Sequence, residues 1–161
     1  ILRCLVGSEM CIRDRFTCNK LPKVGRINLT YALTDHGTTR TEYTIVRMAE
    51  DSYYLVSAGA WSSYDYDYLK KAAEDKMGEF GYIEIHDVTS QWGVFAIAGP
   101  KSRDLLKAVI NEKDTSSALS NKIFPWLSAK KIEIGMCPVN AIRVAYTGEL
   151  GWELHLSLIH I

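Results

Sequence analysis

Between residues 27 and 33 the apolar side chains of Ile27, Leu29, Tyr31 and Leu33 alternate with Asn28, Thr30 and Ala32, the period-two pattern of a half-buried strand. Pro22 and Gly25 punctuate its start, and Asp35-His36-Gly37 reads as the turn that ends it. Thr41 to Met48 is a second β-rich run and Ser52 to Ser57 a third, separated by the Glu50-Asp51 turn, so an antiparallel meander is expected. The period then changes. Ser62 to Asp65 offers a hydroxyl cap with a carboxylate three residues on, and Leu69, Ala72, Ala73, Met77 and Phe80 recur at helical spacing, with closure near Gly78 or Gly81.

Tyr82 to Val88 and Trp92 to Ala98 read as strands, after which Gly99-Pro100 opens a helix with Leu105, Leu106, Val109 and Ile110 on its apolar face. A short helical signal spans Asp114 to Phe124. Lys130 to Ile134, Asn140 to Tyr146 and Trp152 to Leu156 complete the strands, the last two joined across a turn from Thr147 to Gly151. Strands in runs with two main helices among them define an α+β fold of largely antiparallel sheets, and the short connections favour hairpins over crossovers.

Composition narrows the function classes. With 161 residues, 47% of them apolar, the chain can build a core, and its 19 basic residues balance 19 acidic ones without gathering into a stripe. Nucleic acid is therefore not an expected partner. Trp61 and Trp92 with Tyr64, Tyr66 and Tyr68 could stack bases, yet the tyrosines sit in the first turns of the expected helix and read as packing residues. No apolar run approaches the ~18 residues that span a bilayer, so no membrane role is expected. Cys4, Cys11, Cys18 and Cys137 form no CxxC pair and no zinc-ligand spacing; free thiols in a reducing cytoplasm are the plainer reading, with no metal.

Both ends look foreign to the rest. Residues 1–15 (ILRCLVGSEMCIRDR) and the closing LSLIHI resemble translated adapter read-through, which leaves 16–156 as the natural segment, a partial domain, between a non-native leader and a non-native tail at 157–161. The alternative is that both are real terminal segments that pack.

The chain carries no P-loop, no GxGxxG opening a helix, no GxSxG elbow and no HExxH. What stands out is Tyr146-Thr147-Gly148-Glu149-Leu150-Gly151-Trp152-Glu153, where two glycines permit a tight turn and Glu149 sits at its tip. Read without further context, Glu149 is a solvated turn carboxylate. Tyr146 is a core or rim residue by default, and Arg143 either orients Glu149 or pairs with a surface acid. Asp35 reads as solvated, with a channel-lining role as its other reading; His36, His86 and His155 show no pairing pattern and read as core or surface histidines.

IRVAYTGELGWELH resembles the folate-site signature of the aminomethyltransferase (glycine-cleavage T-protein) family, and GRINLTYALTDHG, YLVSAGAW and VFAIAGPKSRDLL follow in the order that family shows. The likeness spans most of Lys20 to His155 and is nearest to the folate-binding part of dimethylglycine and sarcosine dehydrogenases. It implies an α+β fold around a folate channel, tetrahydrofolate as cofactor, and transfer of an aminomethyl or methylene unit. A methylated amine or other one-carbon donor is the implied partner, and a dehydrogenase, fused or associated, would bring FAD only in a further upstream domain. By the same likeness Glu149 anchors the pterin, whose ring N–H and exocyclic NH₂ match the two oxygens of a carboxylate; the functional readings of Tyr146 are that its ring packs beside the pterin or that its hydroxyl closes the site.

The family's proposed catalytic acid falls, by this resemblance, in Gly25 to Tyr31, where no carboxylate stands. Asn28 and Thr30 can hydrogen-bond a substrate nitrogen but hold no transferable proton near neutral pH. The catalytic residue is thus unassigned, and the domain is expected to bind and position a one-carbon unit delivered already activated. A non-catalytic folate-binding or regulatory domain on the same scaffold is the alternative, although the related KGCYxGQE cysteine has no match at Gly135-Met136-Cys137-Pro138. Little activity is expected of this stretch alone.

Overall fold

The structure, a computed structural model, describes residues 2–6, 18–111 and 115–160. The fold is α+β, every strand pair among the described residues is antiparallel, and the chain divides into two compact units at Thr89/Ser90.

The first unit is a five-stranded sheet in the order β2-β3-β4-β1-β5, built from β1 (Leu2–Val6), β2 (Ile27–Leu33), β3 (Thr39–Ala49), β4 (Ser52–Val56) and β5 (Ile83–Asp87). The expected meander is β2 to β4. Leu2–Val6, from the segment read as a leader, supplies β1 between β4 and β5; the boundary at Arg15 lies outside the described residues. Helix α1 (Ser62–Phe80) packs Leu69 and Ala73 onto Ala32, Tyr43, Ile45, Tyr53, Leu55 and Ile83. It runs through Gly78 and stops at Gly81, whose φ of 82° suits a residue without Cβ and whose N–H reaches the Met77 carbonyl at 3.0 Å.

Two local expectations are corrected. No side chain caps α1: Trp61 holds the N-cap position, and Asp65 turns inward, wholly buried, to accept from the Thr41 hydroxyl at 3.3 Å. Beyond Ile27, which is buried as expected, the inward face of β2 is also the other one. Thr30 and Ala32 are buried while Leu29 is 47% and Leu33 42% exposed. Thr30 tolerates burial because its hydroxyl accepts the Asn19 N–H at 3.3 Å, so the polar group brings its own partner into the core side of the strand.

The second unit is a four-stranded sheet, β6-β9-β8-β7, from β6 (Trp92–Ala98), β7 (Ala129–Ile134), β8 (Cys137–Ile142) and β9 (Gly151–Ser157). Helix α2 (Ser102–Val109) and a short α3 (Thr115–Ala118) accompany it. Leu106, Ile110, Leu119, Phe124, Ile132, Val139, Ala141, Trp152 and Leu154 form its core. A strand from Asn140 to Tyr146 is not observed, because β8 ends at Ile142. There the Val144 N–H folds back to the Ile142 carbonyl (3.0 Å), and Arg143 exchanges backbone hydrogen bonds with Leu127 and Ser128. The chain leaves the β9 ladder at that point and reaches Gly151 through residues 143–150. No helix among the described residues is long and apolar enough to cross a membrane.

Candidate functional site

Arg143, Tyr146 and Glu149 lie on the one segment, 143–150, that joins β8 to β9; Asn28 and Thr30 lie on β2 in the first unit. Segment 143–150 is fixed at its far end. The Leu150 carbonyl accepts both the Gly99 N–H (2.8 Å) and the Ser102 hydroxyl (2.9 Å), which ties the start of α2 to the residue after Glu149. Gly148 has φ 73°, a conformation that glycine adopts without strain. Gly151 packs too closely for any side chain: a Cβ there would stand 2.7 Å from the Ile97 carbonyl oxygen and 2.9 Å from the Ala145 Cβ.

On this support the Glu149 side chain is exposed, and its Oε2 lies 3.5 Å from where a Cβ on Gly99 would be. Gly99 has φ 117°, so the absence of a side chain beside the carboxylate is built into the backbone. Among the described residues nothing hydrogen-bonds the Glu149 carboxylate, leaving two acceptor oxygens free for a planar double donor. Tyr146 is 87% exposed at the outer turn of the same segment rather than at the end of a strand.

Among the described residues Arg143 hydrogen-bonds neither to Glu149 nor to a surface acid. It is 7% exposed and donates through one terminal nitrogen to the Phe124 carbonyl and through the other to Asn121 Oδ1 at 2.8 Å, with its guanidinium carbon 5.5 Å from the Trp152 ring centroid. Burial, with the charge of Arg103 added, lowers its pKa. It holds the near end of segment 143–150 against the core.

Asn28 and Thr30 have structural partners. The Asn28 carboxamide donates to the Lys20 carbonyl, and Asn19 meets Thr30 and Leu29 in turn. On the neighbouring strand Glu42 pairs with Tyr31, on the opposite face of the sheet from Thr30. Its hydrogen bond to the Tyr31 hydroxyl, reinforced by its charge, raises the tyrosine pKa. Sequence reasoning passed over Glu42 because only strand register reveals the pairing. It likewise passed over Ser102 and Asn121, whose signals were no more than a serine after Gly-Pro and an asparagine in a polar stretch.

The structure superposes on the glycine cleavage system aminomethyltransferase T from Bartonella henselae with a TM-score of 0.73 at 19% identity, covering 97% of this chain and 39% of that one, so the fold is that of an aminomethyltransferase. The chain belongs to the family described as the GCVT N-terminal domain, which matches residues 10–160. Its relatives include the mitochondrial dimethylglycine dehydrogenase of Rattus norvegicus, 36% identical over 143 residues, and the mitochondrial sarcosine dehydrogenase of Mus musculus, 31% identical over 140. Those matches cover 88% and 79% of this chain but only 16% and 14% of the dehydrogenases, so the chain spans about one sixth of their length.

Proposed function

We propose that this chain is the folate-binding part of a longer one-carbon transferase, of the dimethylglycine or sarcosine dehydrogenase kind, with Glu149 as the anchor of the pterin ring. The observation that carries this reading is the open Glu149 carboxylate beside Gly99, on a segment tied down at Leu150 and at Arg143. A carboxylate held in that way accepts two adjacent N–H donors at once. Each such charge-assisted bond contributes about 1.5–3 kcal/mol. Tyr146, exposed three residues earlier, supplies a ring that can cover one face of the bound pterin, and Arg143 acts by positioning the segment.

Bound tetrahydrofolate supplies the nucleophilic nitrogen that takes up the one-carbon unit from a methylated amine processed by the parent's dehydrogenase part, where FAD would reside. What this chain contributes is orientation of the acceptor. Asn28 and Thr30 are engaged by Lys20 and Asn19 and hold no transferable proton. The compartment we propose is the cytoplasm, or the mitochondrion for a parent of the same kind as the two rodent dehydrogenases.

The deciding experiment is tetrahydrofolate titration of the full-length parent by calorimetry, with and without Glu149→Ala. Loss of both contacts should weaken binding by roughly 100- to 10,000-fold. Unchanged affinity in a folded variant refutes the anchoring role.

A further inference from the structure

In the second unit two guanidiniums converge on one carboxamide oxygen. Arg103, from the first turn of α2, and Arg143, at the head of segment 143–150, each donate to Asn121 Oδ1 at 2.8 Å. Each also donates to a backbone carbonyl of the stretch that contains Asn121, Leu119 for Arg103 and Phe124 for Arg143. Both guanidinium carbons stand 5.5 Å from the centroid of the Trp152 ring, which is wholly buried and meets Phe124 edge-on at 6.2 Å. Among the described residues neither arginine has a carboxylate partner, so the oxygen of Asn121 is the group that joins two like charges. Like charges brought together in this way repel, and the repulsion is offset here by a shared acceptor and an aromatic face.

The two arginines sit at opposite ends of the support for Glu149. Arg143 begins the segment that carries it, and Arg103 follows Ser102, whose hydroxyl holds the Leu150 carbonyl on the other side. We infer that Asn121 is a positioning residue for Glu149: by joining Arg103 to Arg143 it locks α2 and segment 143–150 into one arrangement and so sets where the carboxylate stands. This depends on Glu149 being the pterin anchor. Asn121 itself is exposed and hydrogen-bonds to neither Glu149 nor Tyr146. Its effect passes through the arginines, and a displacement of about 1 Å at a binding group is enough to cost as much as about 100-fold.

The test uses the full-length parent carrying Asn121→Ala, Asn121→Asp, Glu149→Ala and the Asn121→Ala/Glu149→Ala double substitution. Hydrogen exchange of the Leu127, Arg143, Val144 and Gly99 amides, whose hydrogen bonds hold the two ends of the segment, reports positioning without any folate, and calorimetry reports tetrahydrofolate affinity. The expected results are at least tenfold faster exchange in Asn121→Ala with near-normal exchange in Asn121→Asp, whose carboxylate keeps an acceptor between the guanidiniums. Affinity should fall about tenfold in Asn121→Ala, recover in Asn121→Asp, and fall no further in the double variant than in Glu149→Ala alone. Unchanged exchange in Asn121→Ala, or additive losses in the double variant, overturns the inference. If Glu149→Ala leaves affinity intact while exchange responds as expected, it is the anchoring role of Glu149 that fails, and the clamp on the segment stands.

Discussion

Gly151 lies against Ile97 so closely that a Cβ at residue 151 would stand 2.7 Å from the Ile97 carbonyl oxygen. The contact is with backbone on β6, paired with β9 through Ile97 and Trp152, and backbone has no rotamer by which to move aside. Gly151→Ala should therefore destabilise the protein by about 1–3 kcal/mol. Chemical denaturation of the variant checks this; a midpoint equal to that of the parent would mean that the two strands can part at no cost.

Gly99 differs in kind, since its neighbour is the end of a flexible side chain, Glu149 Oε2 at 3.5 Å from the built Cβ, and its difficulty is φ 117°. Gly99→Ala should cost on the order of 1–3 kcal/mol through backbone strain. It should also displace the Glu149 carboxylate, so that melting temperature and tetrahydrofolate affinity fall together. A fall in stability with affinity preserved would show that Glu149 has room to adjust.

Asp87 accepts the Thr89 N–H at 2.9 Å and the Thr89 hydroxyl at 2.6 Å through one oxygen, and these bonds lower its pKa from the ordinary 3.8. A carboxylate with a depressed folded pKa contributes stability that is present above the unfolded value and lost as pH falls through the folded one. Asp87→Asn should then be less stable than the parent at neutral pH, with the gap closing as acid titrates the carboxylate. Denaturation midpoints measured from pH 7 down to about pH 2.5 would reveal the trend; a gap that does not change with pH would contradict it.

Tyr31 is shifted the opposite way. Its hydroxyl donates to Glu42 and its pKa is raised above 10.0, so the contribution to stability is complete below that value and is lost as pH rises through the higher, folded one. Glu42→Gln should bring the tyrosine back toward 10.0. Carbon-13 NMR of the labelled tyrosine rings, followed through alkaline titration, separates this residue from the other eight tyrosines. An unmoved Tyr31 resonance midpoint would sever the pair.

The meander of β2 to β4 and both main helices were legible because the change from period two to helical spacing is local, as at Thr41 to Met48 and Leu69 to Ala73, whereas β1 lies in a segment read as a leader. The exit from β8 was not. Ala141 to Ala145 reads on as strand, and what turns the chain aside at Arg143 is bonding to Phe124 and Asn121, 19 and 22 residues earlier. The inward face of β2 was misread for a related reason: Thr30 is acceptable inside only because Asn19, 11 residues away, satisfies its hydroxyl. For the candidate site, the turn bearing Glu149 was legible in Gly148 and Gly151, whereas Arg103, Asn121 and Ser102 gain their meaning from contacts across 18 to 48 residues.

Strand β6 is an outer strand of its sheet, and Trp92-Gly93-Val94-Phe95-Ala96-Ile97-Ala98 contains no charged side chain, with Val94 46% and Phe95 57% exposed. Bare apolar edges of this type recruit other strands. In concentrated solution the isolated chain should be colloidally fragile, its loss to precipitate growing with protein concentration and, because the seam is apolar, little relieved by added salt.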